Sequence, residues 1–387
     1  MATSPSSQAP LTWAVNISVI FLVVLWRFPT LGLFVSSFRT ADQITASGWW
    51  ASLTSSEQII QLRTGGRDAA KEVDGVFVVE GNILTDGDEA PGQLEISAFG
   101  VSSRAVDAYN VGDTAEFNKG KTFILNADGS YKLTSPDKLR KRGQRVFVTA
   151  VLPPSFSTEN YGTILFSGTG QDNMAKAFFN TLTVTIPATI IPILIAAFAA
   201  YALAWMEFPG RALLIAAVVG LLVVPLQLAL IPLLQLHNNV GIGKGYLGVW
   251  LAHTGFGLPL AIYLLRNYMV GLPRDIIENA KVDGATDFQI FTKIILPLSF
   301  PALASFAIFQ FLWTWNDLLV AKVFLIDSTG QTTVMTNQIV ELLGTRGGNW
   351  EILATAAFIS IAVPLVVFFM LQRYLVRGLL AGSVKGG

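Results

Sequence analysis

The polar segment from Glu278 to Pro297 lies between two long apolar stretches, and its residues predict two short helices joined by a sharp turn. Pro273 favours the start of the first helix, because the N–H that proline lacks has no partner in a first turn. Gly284 favours its end, since glycine adopts the left-handed backbone of a sharp stop. Either Thr286 or Asp287 can cap the second helix. Such a hairpin is suited to binding a soluble partner, although a hairpin lying on the membrane surface fits the pattern equally well.

Two other groups of residues are of types that could carry chemistry. Gly120-Lys121-Thr122 has the residue types that close a phosphate-binding loop. Ala115 stands where that loop needs glycine, and the following residues predict a strand where it needs a helix. His237 and His253 are isolated and the chain has no cysteine, so we expect the histidines in loops or at the membrane interface and no metal site. We therefore expect no catalytic residue and no cofactor, in a protein that is not itself an enzyme.

The composition is that of a polytopic membrane protein. Of 387 residues, 52% are hydrophobic and 13% are charged, whereas soluble domains average about 25% charged residues. The mean hydropathy is +0.53. Because the formal net charge is zero, the sequence carries no electrostatic sign of a nucleic-acid partner. The lipid membrane is the expected surrounding.

Six segments are long and apolar enough to cross a bilayer, which takes about 20 residues. They are residues 11–35, 177–206, 211–236, 247–267, 297–321 and 351–374. The first lacks the basic flank and short apolar run of a cleavable signal peptide, so we expect a signal anchor that stays in the mature chain. The expected fold class is an all-α polytopic membrane protein of six transmembrane helices with an inserted extracytoplasmic β-rich domain.

Lysine and arginine in the short loops predict the orientation, because cytoplasmic loops are enriched in them. One set of loops holds Arg211, Arg266, Arg274, Lys281, Lys293, Arg373, Arg377 and Lys385, and the other holds Lys244, Lys322 and Arg346. The first set is predicted to be cytoplasmic, with both termini inside and residues 39–176 outside.

The long outer segment has the pattern of a β domain. Residues 76–79, 94–99, 122–125 and 145–151 are short β-branched or aromatic runs bounded by turn residues, and 126–129 predicts a hairpin turn. Residues 49–63 are expected to form a helix at the membrane surface. The predicted segments are an N-terminal transmembrane helix (1–38), the insertion (39–176) and a five-helix core (177–387) that contains the polar loop 271–296.

The polar loop closely resembles the EAA loop of bacterial ABC importer permeases, in which a Glu-Ala-Ala start is followed by a glycine and an Ile-x-Leu-Pro end. Glu278, Ala280, Gly284, Ile294, Leu296 and Pro297 fall in register, and Asn279 stands where the family usually has alanine. In that family the loop is a coupling helix seated in a cleft of the ATPase subunit. The resemblance implies Glu278 as the charged contact, Ala280 and Ala285 as close-packing positions, Gly284 as the turn, and Asp283 as part of the extended motif of sugar permeases.

Further motifs resemble those of maltose-type carbohydrate permeases. Trp315-Asn316-Asp317 is similar to their fifth-span pattern, which makes Asn316 and Asp317 candidates for the transport pathway. Asp317 lies ~30 Å beyond Pro297 along a straight helix, so an interfacial anchor is the simpler role for it. The C-terminus is similar to a tail that reaches between ATPase subunits, which implies that Gly382, Lys385 and Gly386 are directed toward the ATPase.

The resemblance implies the permease subunit of an ATP-driven importer, with a type I permease core, in a bacterial or archaeal inner membrane. The large insertion resembles that of alpha-glucoside permeases, so alpha-glucosides or other oligosaccharides are the expected cargo. The implied partners are a homologous second permease subunit, two ATPase subunits that bind ATP and Mg, and an extracytoplasmic sugar-binding protein. Two alternatives stay open: import of another solute, such as a polyol or glycerol phosphate, and a membrane-anchored receptor that uses its outer domain.

Overall fold

The structure is a computed structural model that describes residues 9–73, 75–86, 94–117, 120–166, 173–326, 329–345 and 348–380. Contacts divide the chain into two compact units, Met1–Asn160 with Asn349–Glu351, and Tyr161–Gly348 with Ile352–Gly387. Each unit has its own apolar clusters. The segment boundaries expected from the sequence stay predictions.

The first unit begins with a long apolar helix, α1 (Ala9–Ser36). Its side chains are exposed almost throughout, since only 6% of its most apolar window is buried within the protein. A helix that is apolar on every side belongs in lipid or against other apolar surfaces. The short helix α2 (Ala41–Ala46) follows, and Thr40 and Gln43 form a capping box at its start.

Two antiparallel sheets, together called the β domain, follow these helices in the first unit. One sheet has the strand order β1-β9-β4-β5, and the other has the order β2-β3-β8-β7-β6. The strands are β1 (Ser56–Arg63), β2 (Lys71–Val73), β3 (Val76–Asn82), β4 (Glu95–Gly100), β5 (Tyr109–Asn110), β6 (Thr114–Phe117), β7 (Lys121–Leu125), β8 (Ser130–Ser135) and β9 (Arg145–Leu152). β1 and β9 pair from Ser56 opposite Leu152 to Arg63 opposite Arg145.

An aromatic cluster fills the core of the β domain. Phe99 and Phe123 are fully buried, and the ring centroid of Phe123 lies 5.6 Å from that of Phe99 and 5.7 Å from that of Tyr131. Strand alternation turns Lys132 away from this core, where its amine donates to the Glu80 carboxylate at 2.8 Å. That hydrogen bond holds the pKa of Glu80 below its usual range.

The strands expected at 76–79, 94–99, 122–125 and 145–151 are present, as is the hairpin turn at 126–129. Lys121 and Thr122 open β7, so a strand follows the glycine, as predicted, and the geometry is not that of a phosphate-binding loop. The helix expected at 49–63 is wrong. Trp49–Ala51 is a single 3-10 turn and Ser56–Arg63 is β1, whose alternate residues turn inward once β9 supplies the hydrogen-bonding partner.

The second unit is helical. Its helices are α3 (Glu159–Phe166), α4 (Met174–Trp205), α5 (Arg211–Leu221), α6 (Leu226–Asn239), α7 (Tyr246–Val270), α8 (Arg274–Val282), α9 (Asp287–Ile290), α10 (Leu296–Leu298), α11 (Phe300–Trp315), α12 (Leu319–Phe324), α13 (Met335–Thr345) and α14 (Trp350–Leu380). Across the described ranges, four helices are long and apolar enough to cross a membrane, α1, α4, α7 and α14, and the number rises to six if each of two bent helix pairs is one span.

The two bent pairs correct the straight spans expected at 211–236 and 297–321. α5 and α6 meet at 110°, and the segment Asp287–Leu298 meets α11 at 69°. Pro225 lies at the first break, where proline removes a backbone donor and favours the start of a new helix. α11 ends at Trp315, so the expected continuation to residue 321 is also wrong.

Helix α4 packs closely against α7 and α11. Its buried face is rich in alanine, at positions 188, 196, 197, 200 and 204, and small residues let helices in membranes approach closely. Gln310 of α11 donates to the carbonyl of Ala188 at 3.0 Å and to that of His253 at 3.4 Å. Gly257 makes the room, since a Cβ there would lie 2.6 Å from the Gln310 side chain. One buried amide therefore ties three helices together.

Both histidines are buried in helices, so the expectation of loop positions is wrong, whereas a position at the membrane interface stays a prediction. His237 lies in the last turn of α6 with its ring centroid 5.2 Å from that of Phe324. His253 lies within α7 and is fully buried, with Nε2 3.7 Å from a carboxylate oxygen of Asp317. Polar residues inside apolar helices usually face the interior of the bundle. The residues that surround these two histidines, Phe324 and Asp317, are distant from them in sequence, so the sequence pattern does not reveal the burial.

We expect Phe123→Ala to destabilise the β domain by ~3–5 kcal/mol, because it removes a fully buried ring from the aromatic cluster. Pulse proteolysis in urea, on the full-length protein in nanodiscs, measures this change. Ile59→Ala is the matched control, since Ile59 is 42% exposed on β1. Its expected cost is below ~1 kcal/mol. Equal shifts from the two substitutions would contradict this description of the core.

Candidate functional site

Helix α8 forms the first arm of the predicted coupling loop and is amphipathic. Pro273 is its N-cap, one position before the first-turn place expected from the sequence. Ile277 is buried, and Ala280, which lies close to one turn further on, is half-buried in the same cluster. Glu278 is exposed. The apolar side of α8 therefore packs on the helical unit, and the acidic side faces outward.

Gly284 makes the predicted turn, with φ +80°. Its N–H donates to the carbonyl of Lys281 at 3.0 Å, and the N–H of Ala285 donates to the carbonyl of Ala280 at 3.0 Å. This pair of bonds is a Schellman motif, which ends a helix on a left-handed residue. A Cβ on Gly284 would have no neighbour within 4 Å. Any penalty for another residue here is therefore backbone strain rather than a collision.

The second arm starts at Thr286, which resolves the choice between Thr286 and Asp287 as the cap. The N–H of Gln289 donates to the Thr286 hydroxyl at 3.3 Å, and the N–H of Thr286 donates to the Gln289 side chain at 2.9 Å. These reciprocal bonds form a capping box. α9 then passes through one π turn, Phe291–Ile295, into α10. The chain bends at buried Ser299, where α11 begins.

Three buried side chains of the second arm anchor the loop: Ile290, Phe291 and Ile295. They share one apolar cluster with the alanine face of α4 and with the end of α7. The ring centroid of Phe291 lies 4.6 Å from that of Phe198 and 5.3 Å from that of Tyr201. The loop is therefore part of the packed core of the helical unit.

A polar link also joins the loop to α4. The buried hydroxyl of Tyr201 donates to Oδ1 of Asp287 at 3.1 Å, and Nζ of Lys281 lies 4.0 Å from the same oxygen. The ion pair is about half exposed, so solvent screening leaves it a small contribution to stability. Its geometry nevertheless connects α4 to both arms of the loop.

The loop also presents large apolar side chains outward. Val282 is 86% exposed, Phe288 is 66% exposed and Ile276 is 39% exposed. Sequence reasoning missed Val282 and Phe288 as surface features, although large apolar residues isolated in a polar loop are a usable signal. Together with Glu278 they form the outer face, a surface of the kind that partner proteins bury.

The remaining predicted loop residues are brought together in the same segment. Ala285, Ile294 and Leu296 are half-buried, and Asp283 and Pro297 are exposed. The predicted tail residues Gly382, Lys385 and Gly386 lie outside the described residues.

Asn316 and Asp317 lie at the break after α11, away from the loop in sequence. Asp317 caps α12, because its carboxylate accepts from the N–H of Val320 at 3.3 Å and of Ala321 at 3.0 Å. Its side chain is only 9% exposed, and the role of an interfacial anchor stays a prediction. Asn316 donates to the carbonyl of Leu312 at 2.8 Å. A part in the transport pathway stays a prediction for both residues.

Comparison with protein families settles the family of the chain. Residues 166–380, which contain the loop, match the model described as the binding-protein-dependent transport system inner membrane component. The chain belongs to this family. It is accordingly a multi-pass membrane component of an ABC transporter, and the predicted membership of the ABC importer permeases is confirmed.

Individual relatives extend the match. The alpha-glucoside transport system permease protein AglG of Rhizobium meliloti (strain 1021) is 60% identical over 99% of this chain and 100% of that protein, so it includes a counterpart of the outer segment. The osmoprotective compounds uptake permease protein GgtD of Synechocystis sp. is 60% identical over 59% of this chain and 76% of that protein. A bacterial ABC transporter for import of the acidic polysaccharide alginate contains a chain of similar fold, with a TM-score of 0.54 and 15% identity over 97% of this chain and 99% of that chain.

We expect Gly284→Val to lower substrate uptake at least about ten-fold, because a β-branched residue at φ +80° carries roughly 1–3 kcal/mol of strain and disrupts the turn. Gly284→Asn is the matched control, since asparagine tolerates the left-handed region. It should keep most of the uptake. Uptake is measured in cells at equal membrane content of each variant. Normal uptake by Gly284→Val under these conditions would contradict a coupling role for the turn.

Proposed function

We propose that this chain is the transmembrane permease subunit of an ABC importer for alpha-glucosides. The observation that carries the proposal is the 60% identity to an alpha-glucoside permease protein over 99% of this chain. The identity extends through the outer segment as well as the helical part, so the whole architecture is shared. The chain itself carries out transport and no bond chemistry, and ATP hydrolysis belongs to separate ATPase subunits that bind ATP and Mg.

The loop from α8 to α10 is the proposed contact with an ATPase subunit. Its outer face combines Glu278 with the exposed side chains of Val282 and Phe288. Burying large apolar side chains contributes about 1.5–3 kcal/mol each, so a cleft that receives them holds the loop firmly. Glu278 would then orient the contact, because a charge at an interface mainly sets specificity.

Motion of the ATPase would reach the membrane spans through the packed base of the loop. Ile290, Phe291 and Ile295 share their cluster with α4 and α7, and Tyr201 links α4 to Asp287. Close-packed protein interiors move as units rather than deform. The loop and the inner ends of α4 and α7 therefore shift together when the ATPase dimer closes.

The other proposed partners follow from the family description and from the parts of the chain. A binding-protein-dependent system needs an extracytoplasmic binding protein, here one for sugars, and the β domain is proposed to help seat it. A homologous second permease subunit completes the pathway, and two ATPase subunits bind the coupling loops. The proposed location is the inner membrane, with both termini cytoplasmic.

A second candidate cargo has one specific observation in its favour. The chain is 60% identical over 230 residues to an osmoprotective compounds uptake permease protein. That match covers only 59% of this chain, so the full-length relative favours alpha-glucosides. The receptor hypothesis has less support, because residues 166–380 belong to a transport family.

The identity of the cargo is tested by comparing solute uptake in a host strain that lacks the gene with uptake in the same strain after the gene is restored. We expect loss of uptake of a radiolabelled alpha-linked disaccharide such as maltose, and its recovery when the gene is restored. Uptake of the β-linked disaccharide cellobiose and of glycerol 3-phosphate should not depend on the gene. Dependence of glycerol 3-phosphate uptake instead would establish another cargo, and unchanged uptake of every solute would contradict the importer.

Cysteine labelling tests the orientation, and the absence of native cysteine makes single cysteines clean reporters. Ala127→Cys, at the exposed tip of the β7–β8 hairpin, should react with an impermeant thiol reagent in intact cells. Glu207→Cys, in the exposed loop between α4 and α5, should react only after the cells are permeabilised. The opposite pattern would reverse the orientation predicted from lysine and arginine.

A further inference from the structure

A basic cavity of about 620 Å³ lies on the β domain. Five cationic side chains line it: Arg63, Lys121, Arg140, Arg142 and Arg145. They come from the end of β1, the start of β7, the loop before β9 and the start of β9. Cavities of about 300–1,000 Å³ are typical of small-molecule sites. The size and the lining therefore suit a small charged ligand.

The positive charge of this cavity is not neutralised within the described part of the chain. There, none of the five cations has a carboxylate oxygen within the 4.0 Å that defines an ion pair. Arg63 and Arg145 stand directly opposite each other in the β1–β9 register, an arrangement of like charges that destabilises a strand pair. A bound anion would offset this repulsion.

The backbone that carries the cations is held in place before any ligand arrives. The N–H of Arg67 donates to the carbonyl of Arg140 at 3.0 Å, and the N–H of Thr64 donates to the carbonyl of Gln144 at 3.0 Å. The N–H of Gln144 in turn donates to the hydroxyl of Thr64 at 2.9 Å. A Cβ on Gly143 would overlap the carbonyl oxygen of Thr64, so glycine is required for this close approach. A pre-organised backbone lowers the entropy lost on binding.

We propose that this cavity is a binding site for a small polyvalent oxyanion from the external solution, one that carries phosphate or several carboxylate groups. Guanidinium groups bind such oxygens through pairs of charge-assisted hydrogen bonds. Leu139 and Phe147 also line the cavity, and apolar surroundings strengthen charge-assisted hydrogen bonds.

A soluble anion is favoured over a lipid headgroup by the position of the cavity. Arg63 and Arg145 end the strand pair, whereas Ser56 and Leu152 begin it beside the segments that follow α1, where Gln43 donates to Ser155. Seven residues of strand separate the two ends, which is ~24 Å at about 3.4 Å per residue. The cations therefore lie far along the sheet from the point where α1 ends.

Calorimetry with pyrophosphate, on the full-length chain in phosphatidylcholine nanodiscs at about 0.1 M ionic strength, tests this site. We expect saturable binding that weakens at least about ten-fold in the double variant R142Q/R145Q, because two charge-assisted contacts are lost. The control K71Q/K138Q makes the same change in net charge at residues that do not line the cavity, and its affinity should stay within about two-fold, because screening weakens distant charges. The single variant R140Q should lose less pyrophosphate affinity than the double variant. An unchanged urea midpoint in pulse proteolysis would show that this variant is folded.

Three results would overturn the proposal. Absence of saturable pyrophosphate binding to the unaltered chain would show that there is no such site. Equal loss of affinity in both double variants would show that only the net positive charge attracts the anion. If nanodiscs that contain phosphatidylglycerol abolish pyrophosphate binding, the oxyanion is a lipid headgroup rather than a solute. The measurement uses no sugar, so it succeeds or fails independently of alpha-glucoside import.

Discussion

The helical unit depends on the close approach of α4 to its neighbours, which its alanine face permits. Lipid supplies no hydrophobic force between helices, so van der Waals packing and interhelical hydrogen bonds must hold them. The amide of Gln310 supplies such bonds to α4 and α7 at once. The same face of α4 receives Ile290 and Phe291 from the loop. A single packed surface therefore determines both how the spans assemble and how the loop is attached to them.

The bends in two spans have a physical requirement of their own. A backbone that leaves the helix inside a membrane must satisfy its polar groups within the protein. The end of α11 is a further break in the helices, where Asp317 accepts from the N–H groups of Val320 and Ala321 in α12. At Ser299 the backbone continues with hydrogen bonds to Ile295 on one side and from Ala302 on the other. The bend at Ser299 separates the loop and its anchoring arm from α11, while both sides of the bend stay hydrogen-bonded.

Local chemistry was predictable from the sequence, and long-range geometry was not. Gly284 predicted the turn because few other residues adopt a positive φ. The short runs of β-branched residues predicted the strands of the β domain. Hydropathy predicted one straight span across Pro225 because it counts apolar residues and carries no information on the direction of the chain. A bent pair of helices therefore has the same hydropathy as one straight span. The strand at 56–63 was missed because its partner β9 lies far along the chain. The exposure of Phe288 was missed because helical spacing alone does not tell which apolar residues of the second arm pack against α4.

The pairing of β1 with β9 also sets an order of events during synthesis. Arg145, the first residue of β9, follows Ser56, the first of β1, by 89 positions, which takes about 4–18 s at about 5–20 residues per second. β7 and β8 are joined by a tight hairpin and can pair as soon as they emerge. Their sheet can therefore form while β1 still has an unpaired edge, and unpaired edges invite wrong partners. For that interval the unpaired edge of β1 exposes the nascent chain to aggregation, and slower synthesis would prolong it.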